Sequence, residues 1–496
     1  MTTPLTKPSA AALAAAPARG SALYLAGICL VASIGGLLFG FDTAVISGAI
    51  ERVKVHYDLT DLLQGWLTSS ALVGCVLGAL GAGTLGDRFG RKPVLIIAAM
   101  FFLVSAIYSA IPPTFTILIL ARWLGGLGVG MASVLAPMYI SEFAPPRLRG
   151  RLVGLYQLSI VIGILAAYFS NWWLVDYATT HPQAFGVGSM LHRVMVTEIW
   201  RGMFGAEILP AGLFLVLLCF VPESPRWLAK EARTEPAFRI LAGVAGRGQA
   251  EAQLTEIQDS LAHEEGTLAE LFRPGLRRAL LVGVMLAVFG QLSGVNIVVY
   301  YGPKILMAAG FQDAAALLGQ VGFGLINFAF TLVALVVIDR WGRRPLLLGG
   351  MVVVTVSLVV IGALFLAGEA GATVSKTISL WIGLMICIYT GCIALSICAV
   401  IWVITPEIFP NRVRGRAVSL ATFANWSTNA FSALVFPWYA AQFGMGTFFF
   451  TTAVICLFAT VFFWRFVPET KGKSLEEIEK LWTPATAASV PRKNFP

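Results

Sequence analysis

Twelve apolar runs of about twenty residues each punctuate the chain, and they restrict its fold more than any other feature. A helix rises about 1.5 Å per residue, so such a run crosses a hydrocarbon core of about 30 Å. The runs lie near 22–49, 65–85, 94–112, 115–139, 152–173, 203–221, 280–301, 314–338, 345–367, 377–405, 416–438 and 445–466. Of the 496 residues 57% are hydrophobic and 12% charged, whereas a soluble domain carries about 25% charged residues. The chain therefore reads as an all-α membrane protein of twelve transmembrane helices, with the lipid bilayer as its principal partner. The net charge of +9 is no nucleic-acid signature, because the basic residues gather in short loops between apolar runs.

Those loops orient the chain. Lysine and arginine concentrate on the cytoplasmic side, and they follow runs 2, 4, 8 and 10: Arg88, Arg91 and Lys92; Arg147, Arg149 and Arg151; Arg340, Arg343 and Arg344; Arg412, Arg414 and Arg416. The loops after runs 3 and 11 carry none. Both termini are thus expected in the cytoplasm. Residues 1–21 read as a disordered cytoplasmic tail, and 222–278 as a charged, helix-prone cytoplasmic linker. Residues 467–496 read as a cytoplasmic C-terminal tail. The seven cysteines lie inside apolar runs without disulfide or CxxC spacing, which marks them as small buried hydrophobes.

Three motifs occur twice. GDRFGRKP at 86–93 returns as DRWGRRP at 339–345. EFAPPRLRGR at 142–151 returns as EIFPNRVRGR at 407–416. VPESPRW at 221–227 returns as VPETKGKS at 467–474. The chain is accordingly expected to hold two six-helix halves, 22–221 and 279–466, in one orientation. Parallel repeats suit a transporter whose halves rock about a site near the midplane. Asp87, Arg88, Arg91, Glu142, Arg149 and Glu223 recur as Asp339, Arg340, Arg343, Glu407, Arg414 and Glu469. Positive-inside decoration accounts for the arginines alone. The acids at matching places make the set a candidate cytoplasmic gate.

Two charges stand out inside the runs. A charge near the bilayer centre costs at least about 2.5–3.5 kcal/mol, so it usually faces a partner or a water-filled cavity. Asp42 in LLFGFDTAVISG lies seven residues before the outer end of run 1, and Arg122 seven after the outer end of run 4. Both fall about 10 Å below the surface by helical rise, so a pair is geometrically allowed.

The segments RWLGGLGVGMASVLAPMYISEFAPPRLRG, PESPRWL, QLSGVNIVVYYGP, PEIFPNRVRG and PETKGKSLEEIE resemble the sugar porter family of the major facilitator superfamily, over about 22–482. The resemblance implies the major facilitator fold and transport of a monosaccharide, hexose or pentose, by alternating access. Proton symporters of that family carry an aspartate in span 1 with an arginine in span 4, so Asp42 and Arg122 are the expected proton-coupling pair. An uncoupled facilitator, which typically has asparagine there, is the alternative, and a non-transporting sensor a more distant one. The implied sugar-binding set is Phe39, Gln157, Gln291, Asn296, Tyr300, Asn327, Trp402, Asn425, Trp426 and Asn429. Amides donate and accept to sugar hydroxyls, although taken singly such residues more often join helices.

Three features depart from the family pattern. Gly290 replaces the first of two glutamines, which removes one expected hydrogen bond to the sugar. Cys398 and Ala399 replace a Gly-Pro pair, so a weaker helix break is expected in span 10. Asn425 stands where the xylose symporters have glutamine. No nucleophile–base set, metal-ligand cluster or phosphate loop is present in the sequence, so an enzyme is not expected. No cofactor is expected beyond the proton as coupling ion, nor a nucleic-acid partner, and the chain is expected to work as a monomer. The expected location is the cell membrane, multi-pass, or the inner membrane for a Gram-negative source.

Overall fold

A computed structural model describes residues 20–145, 147–262, 268–273, 276–369, 375–472, 477–478 and 482. Most of the tail expectations, at 1–19 and beyond 472, therefore lie outside the described residues. The described chain is helical without strands. Eleven of its helical segments are long and apolar enough to cross a membrane. Spans 1 to 5 are Ala22–Tyr57, Asp61–Phe89, Arg91–Ala110, Phe115–Phe143 and Arg149–Thr180, and span 6 is Ile199–Phe220. Spans 7 to 10 are Leu276–Ala308, Asp313–Trp341, Arg343–Gly368 and Lys376–Glu407. The last segment, Val413–Phe466, joins two helices across Gly444, whose φ of 82° and ψ of 159° are not helical. Spans 11 and 12 are its two arms, which makes the expected twelve.

Several spans are interrupted. Span 6 breaks at Ala206–Glu207 and span 7 at Ser293–Gly294. Span 10 breaks at Ser396, whose φ of −104° and ψ of −91° end one helix and begin the next. The break in span 10 is present without the Gly-Pro pair, and it falls two residues before Cys398. A methyl group at Gly350 would meet Ser396 Cβ at 2.1 Å, so span 9 packs tightly against span 10 where it bends. Interruptions of this kind are tolerated at membrane depth only where protein or water meets the freed backbone groups. Ser293 shows how this is done, for its carbonyl accepts a hydrogen bond of 2.8 Å from Tyr389 Oη.

The described chain forms two compact units. The first comprises Met1–Glu264, Ile297–Phe328 and Ala433–Trp438, and the second Glu265–Asn296, Ala329–Ser432 and Tyr439–Pro496. In the first unit, helices Pro225–Lys230, Thr234–Ala245 and Arg247–Ala262 share a small apolar core of Leu228, Phe238, Leu241 and Leu254. Ser21, which caps span 1 by accepting from the Tyr24 N–H, donates its own N–H to Gly243 O at 2.9 Å. The linker helices are thereby stapled to the foot of span 1.

The repeated motifs fold into the same device in each unit. Gly90 and Gly342 precede spans 3 and 9 with φ of 98° and 93°, a region open to glycine without strain. Glu223 accepts from the N–H groups of Arg91 and Lys92 at 2.9 and 3.2 Å. Glu469 accepts from those of Arg343 and Arg344 at 3.1 and 3.0 Å. Each carboxylate thus meets the orphan donors and positive dipole of a helix N-terminus. A Cβ at Gly90 would lie 2.3 Å from Glu223 Oε2, and one at Gly342 2.8 Å from Glu469 Oε2. Replacing either glycine by alanine should destabilise its unit by roughly 1–3 kcal/mol, from backbone strain and displacement of the cap. Thermal melting in detergent checks this, with Gly150→Ala, whose added methyl meets nothing within 4 Å, as the silent control.

Candidate functional site

The two intramembrane charges meet. Arg122 Nη1 donates to Asp42 Oδ1 at 2.5 Å, and Arg122 Nη2 donates to the Asp42 carbonyl at 3.0 Å. Asp42 is 0% and Arg122 2% exposed. The guanidinium also lies over the Phe204 ring, 5.4 Å from its centroid. Span 1 runs on to Tyr57, eight residues past its apolar run, and the pairing allowed by helical rise is present.

Sequence reasoning missed a third member. Glu207, 2% exposed, sits at the interruption of span 6 beside Asp42 and Arg122. The site is therefore an arginine facing two carboxyls. The signal was the one that singled out Asp42, an acidic residue inside an apolar run.

The sugar candidates divide between the units. In the first, Phe39 lies one turn before Asp42, Tyr300 is buried, and Gln157 and Asn327 are half-buried. In the second, three amides form a chain. Asn296 Nδ2 donates to Gln291 Oε1 at 2.6 Å, and Gln291 Nε2 donates to Asn425 Oδ1 at 2.8 Å. Gln291 and Asn296 flank the break at Ser293–Gly294, so the break orients both. Trp426 and Asn429 are buried beside this chain's last member on span 11, and Trp402 is exposed on span 10. Gly290 is buried, and a Cβ there would meet Ile401 Cδ1 at 2.4 Å. Ile401 packs where the missing glutamine would begin, so the departure reshapes this wall.

The gate candidates are bonded within their own units. Arg91 pairs with Asp87 at 3.0 Å and Glu142 at 3.1 Å, and Ser224 Oγ donates to Glu142. Arg343 pairs with Asp339 at 3.2 Å and Glu407 at 3.3 Å, and Thr470 Oγ1 donates to Glu407. Arg149 is exposed, and Arg414 donates to Phe409 O. Arg88 lies over the Phe89 ring, and the Arg340 carbonyl accepts from Lys471 Nζ. Burial alone would raise the Glu469 carboxyl, but N–H donors of Lys471, Arg343, Arg344 and Thr470 outweigh it and hold it below its usual value.

A second polar cluster, at the opposite end of the first unit, went unread in the sequence. Lys304 Nζ pairs with Glu51 at 3.1 Å and donates to Gln64 Oε1 at 2.7 Å, while Gln64 Nε2 donates to Glu51 Oε1 at 2.7 Å. Arg52 pairs with Asp313 at 2.5 Å. Tyr301 Oη donates to Ala433 O at 2.8 Å, and Gly65 packs directly on the Leu434 backbone. Segments 297–328 and 433–438 of the second sequence half are thus bound to spans 1 and 2.

Residues 28–482 match the family described as Sugar (and other) transporter. The chain belongs to that family. It is 39% identical to the arabinose-proton symporter of Bacillus subtilis, over 92% of this chain and 94% of the relative. It is 37% identical to the D-xylose-proton symporter of Escherichia coli K12, over 93% and 96%. Among solved structures it is similar to the xylose transporter XylE from E. coli in its inward-open conformation. The TM-score is 0.77 and the identity 35%, covering 92% of this chain and all of that one. As a family member it is a multi-span membrane protein of the major facilitator superfamily and shares the family's twelve-helix frame.

Two outcomes follow from this geometry. Exposed or half-exposed ion pairs contribute about 0.2–1 kcal/mol each, so Glu51→Ala or Lys304→Ala should loosen the contact without unfolding the chain. A cysteine placed at buried Thr68 in a cysteine-free background should then react roughly two- to fivefold faster with a water-soluble maleimide. The charge-swapped pair Glu51→Lys with Lys304→Glu should recover most of the protection. For Glu469, a lowered carboxyl value stabilises the fold above the ordinary glutamate range and loses that contribution as pH falls through the lowered value. Acid melting of wild type should accordingly show a limb below about pH 4.3 that Glu469→Gln flattens.

Proposed function

We propose that this protein is a proton-coupled monosaccharide symporter, carrying a hexose or pentose by alternating access in the cell membrane with both termini inside. The carrying observation is the buried Asp42–Arg122–Glu207 cluster. Arginine favours a charged carboxyl and desolvation a neutral one, so a small change in surroundings decides whether a proton is held. The relatives' names, arabinose-proton and D-xylose-proton symporter, support the same reading.

The transport cycle follows from these parts. The contact of Glu51 and Arg52 with Lys304 and Asp313 closes the outer end, while Gln291, Asn296 and Asn425 offer the sugar a preorganised row of donors and acceptors. A sugar that exchanges bonds with this row changes the setting of broken span 7. The outer pairs are weak enough to part once per cycle, and the buried pair is strong enough to set the direction. Breaking it by removing one partner costs about 3–5 kcal/mol, unless protonation neutralises the survivor. A membrane potential of about 100 mV supplies ~2.3 kcal/mol per charge, enough for roughly fiftyfold accumulation.

Uptake of labelled glucose, galactose, xylose and arabinose into energised vesicles tests the proposal. Wild type should accumulate a sugar and lose it to an uncoupler. Asp42→Asn and Glu207→Gln should exchange sugar without accumulating it, with accumulation falling at least tenfold. A wild type that only equilibrates sugar, indifferent to the uncoupler, is a facilitator, and the cluster is then a tie between spans 1, 4 and 6.

A further inference from the structure

Four polar atoms at the charge cluster have no hydrogen-bond partner although their residues are at most 2% exposed: Asp42 Oδ2, Arg122 Nε, Glu207 Oε1 and Ser105 Oγ. A buried polar group left unpaired costs about 1–3 kcal/mol, so four in one place need an account. Buried Ser47 and Ser70 donate to carbonyls of their own helices, whereas Ser105 on span 3, like Ser33, Thr68 and Ser109, does not return its proton to its own turn. Ser105 differs from those three in facing the charge cluster. Its oxygen and the Asp42 carboxylate lie against the same glycine. A Cβ at Gly125 would be 2.4 Å from Ser105 Oγ and 3.5 Å from Asp42 Oδ1.

We propose that Ser105, given room by Gly125, holds a water molecule against the Asp42–Arg122–Glu207 cluster and thereby sets how readily the carboxyl pair takes its proton. The free atoms comprise two donors, Arg122 Nε–H and the Ser105 hydroxyl, and acceptors on both carboxyls. That is a complement a bridging water satisfies, since buried waters make about three hydrogen bonds to such groups. Ser105 is a positioning residue and neither gains nor loses a proton overall. The groups facing Asp42 that carry charge or titrate are Arg122 from span 4, Glu207 from span 6 and Cys75 from span 2. Span 3 contributes the hydroxyl alone. The proposal deepens the symport reading and rests on it.

The test combines transport with infrared difference spectroscopy of the reconstituted full chain. Ser105→Ala removes the hydroxyl, and Ser105→Cys removes it with volume nearly kept. Both should retain sugar counterflow within about twofold, while the pH of half-maximal accumulation moves upward by roughly half a unit or more, as a donor to the charged form is lost. The protonated-carboxyl stretch, identified by its loss in Glu207→Gln, should change frequency in both. Ser70→Ala, whose hydroxyl is already bonded to Leu67 O, should change neither. A carboxyl band and pH profile unmoved in Ser105→Ala and Ser105→Cys would overturn the role of Ser105 while leaving symport intact. Wild type lacking uncoupler-sensitive accumulation would overturn symport itself, and the infrared band would still decide whether Ser105 acts on the cluster.

Discussion

A hydrocarbon slab offers no hydrogen-bond partners, and nearly every feature of this protein answers that constraint. Regular helices satisfy their own backbone, so most of each span can be apolar and featureless. What remains are the places where the rule is broken at a cost. The breaks at Glu207, Gly294 and Ser396 free backbone groups, and Asp42, Arg122 and Glu207 place charge where it is expensive. Breaks and polar residues fall close together in spans 6 and 7. Glu207 stands at such a break, and Gln291 and Asn296 bracket another.

The contrast in bond strength between regions has a functional sense. Interior pairs with almost no exposure, such as Asp42–Arg122, are costly to break. The outer pairs, with side chains about one-fifth to one-half exposed, exchange readily with water. The repeated Arg–Asp–Glu–Glu device at the arginine-loop ends lies between the two, with a buried or half-buried Arg–Glu pair and an exposed aspartate in each copy.

Much of this could be read from the amino acids alone, and the reasons are physical. Long apolar runs have one stable solution in lipid, so the twelve spans and their repeat were legible. A charge inside such a run has few partners, so Asp42 and Arg122 found each other on paper. Glu207 carried the same signal and was overlooked. The Glu51–Lys304 and Arg52–Asp313 pairs were not legible, because charges near helix ends are ordinarily solvated and their pairing joins residues far apart in sequence. The break at Ser396 has no adjacent glycine or proline to announce it, and the Gly350 backbone that packs against it lies far away in sequence. Span ends ran past the apolar runs because helical hydrogen bonding does not stop at the lipid boundary.

The two copies of the repeated device are chemically alike but not equally dry. Arg91 and Glu142 have side-chain exposures of 6% and 5%, against 14% and 28% for Arg343 and Glu407. In a dry setting an ion pair resists stretching, and in a wetter one water shares the load. The duplicated elements have thus diverged in stiffness while keeping their bonding pattern. One half of the molecule carries a hard joint and the other a compliant one at the same place. An identical bonding pattern therefore meets the same pull with two different stiffnesses, so duplication of a motif does not carry duplication of its mechanics.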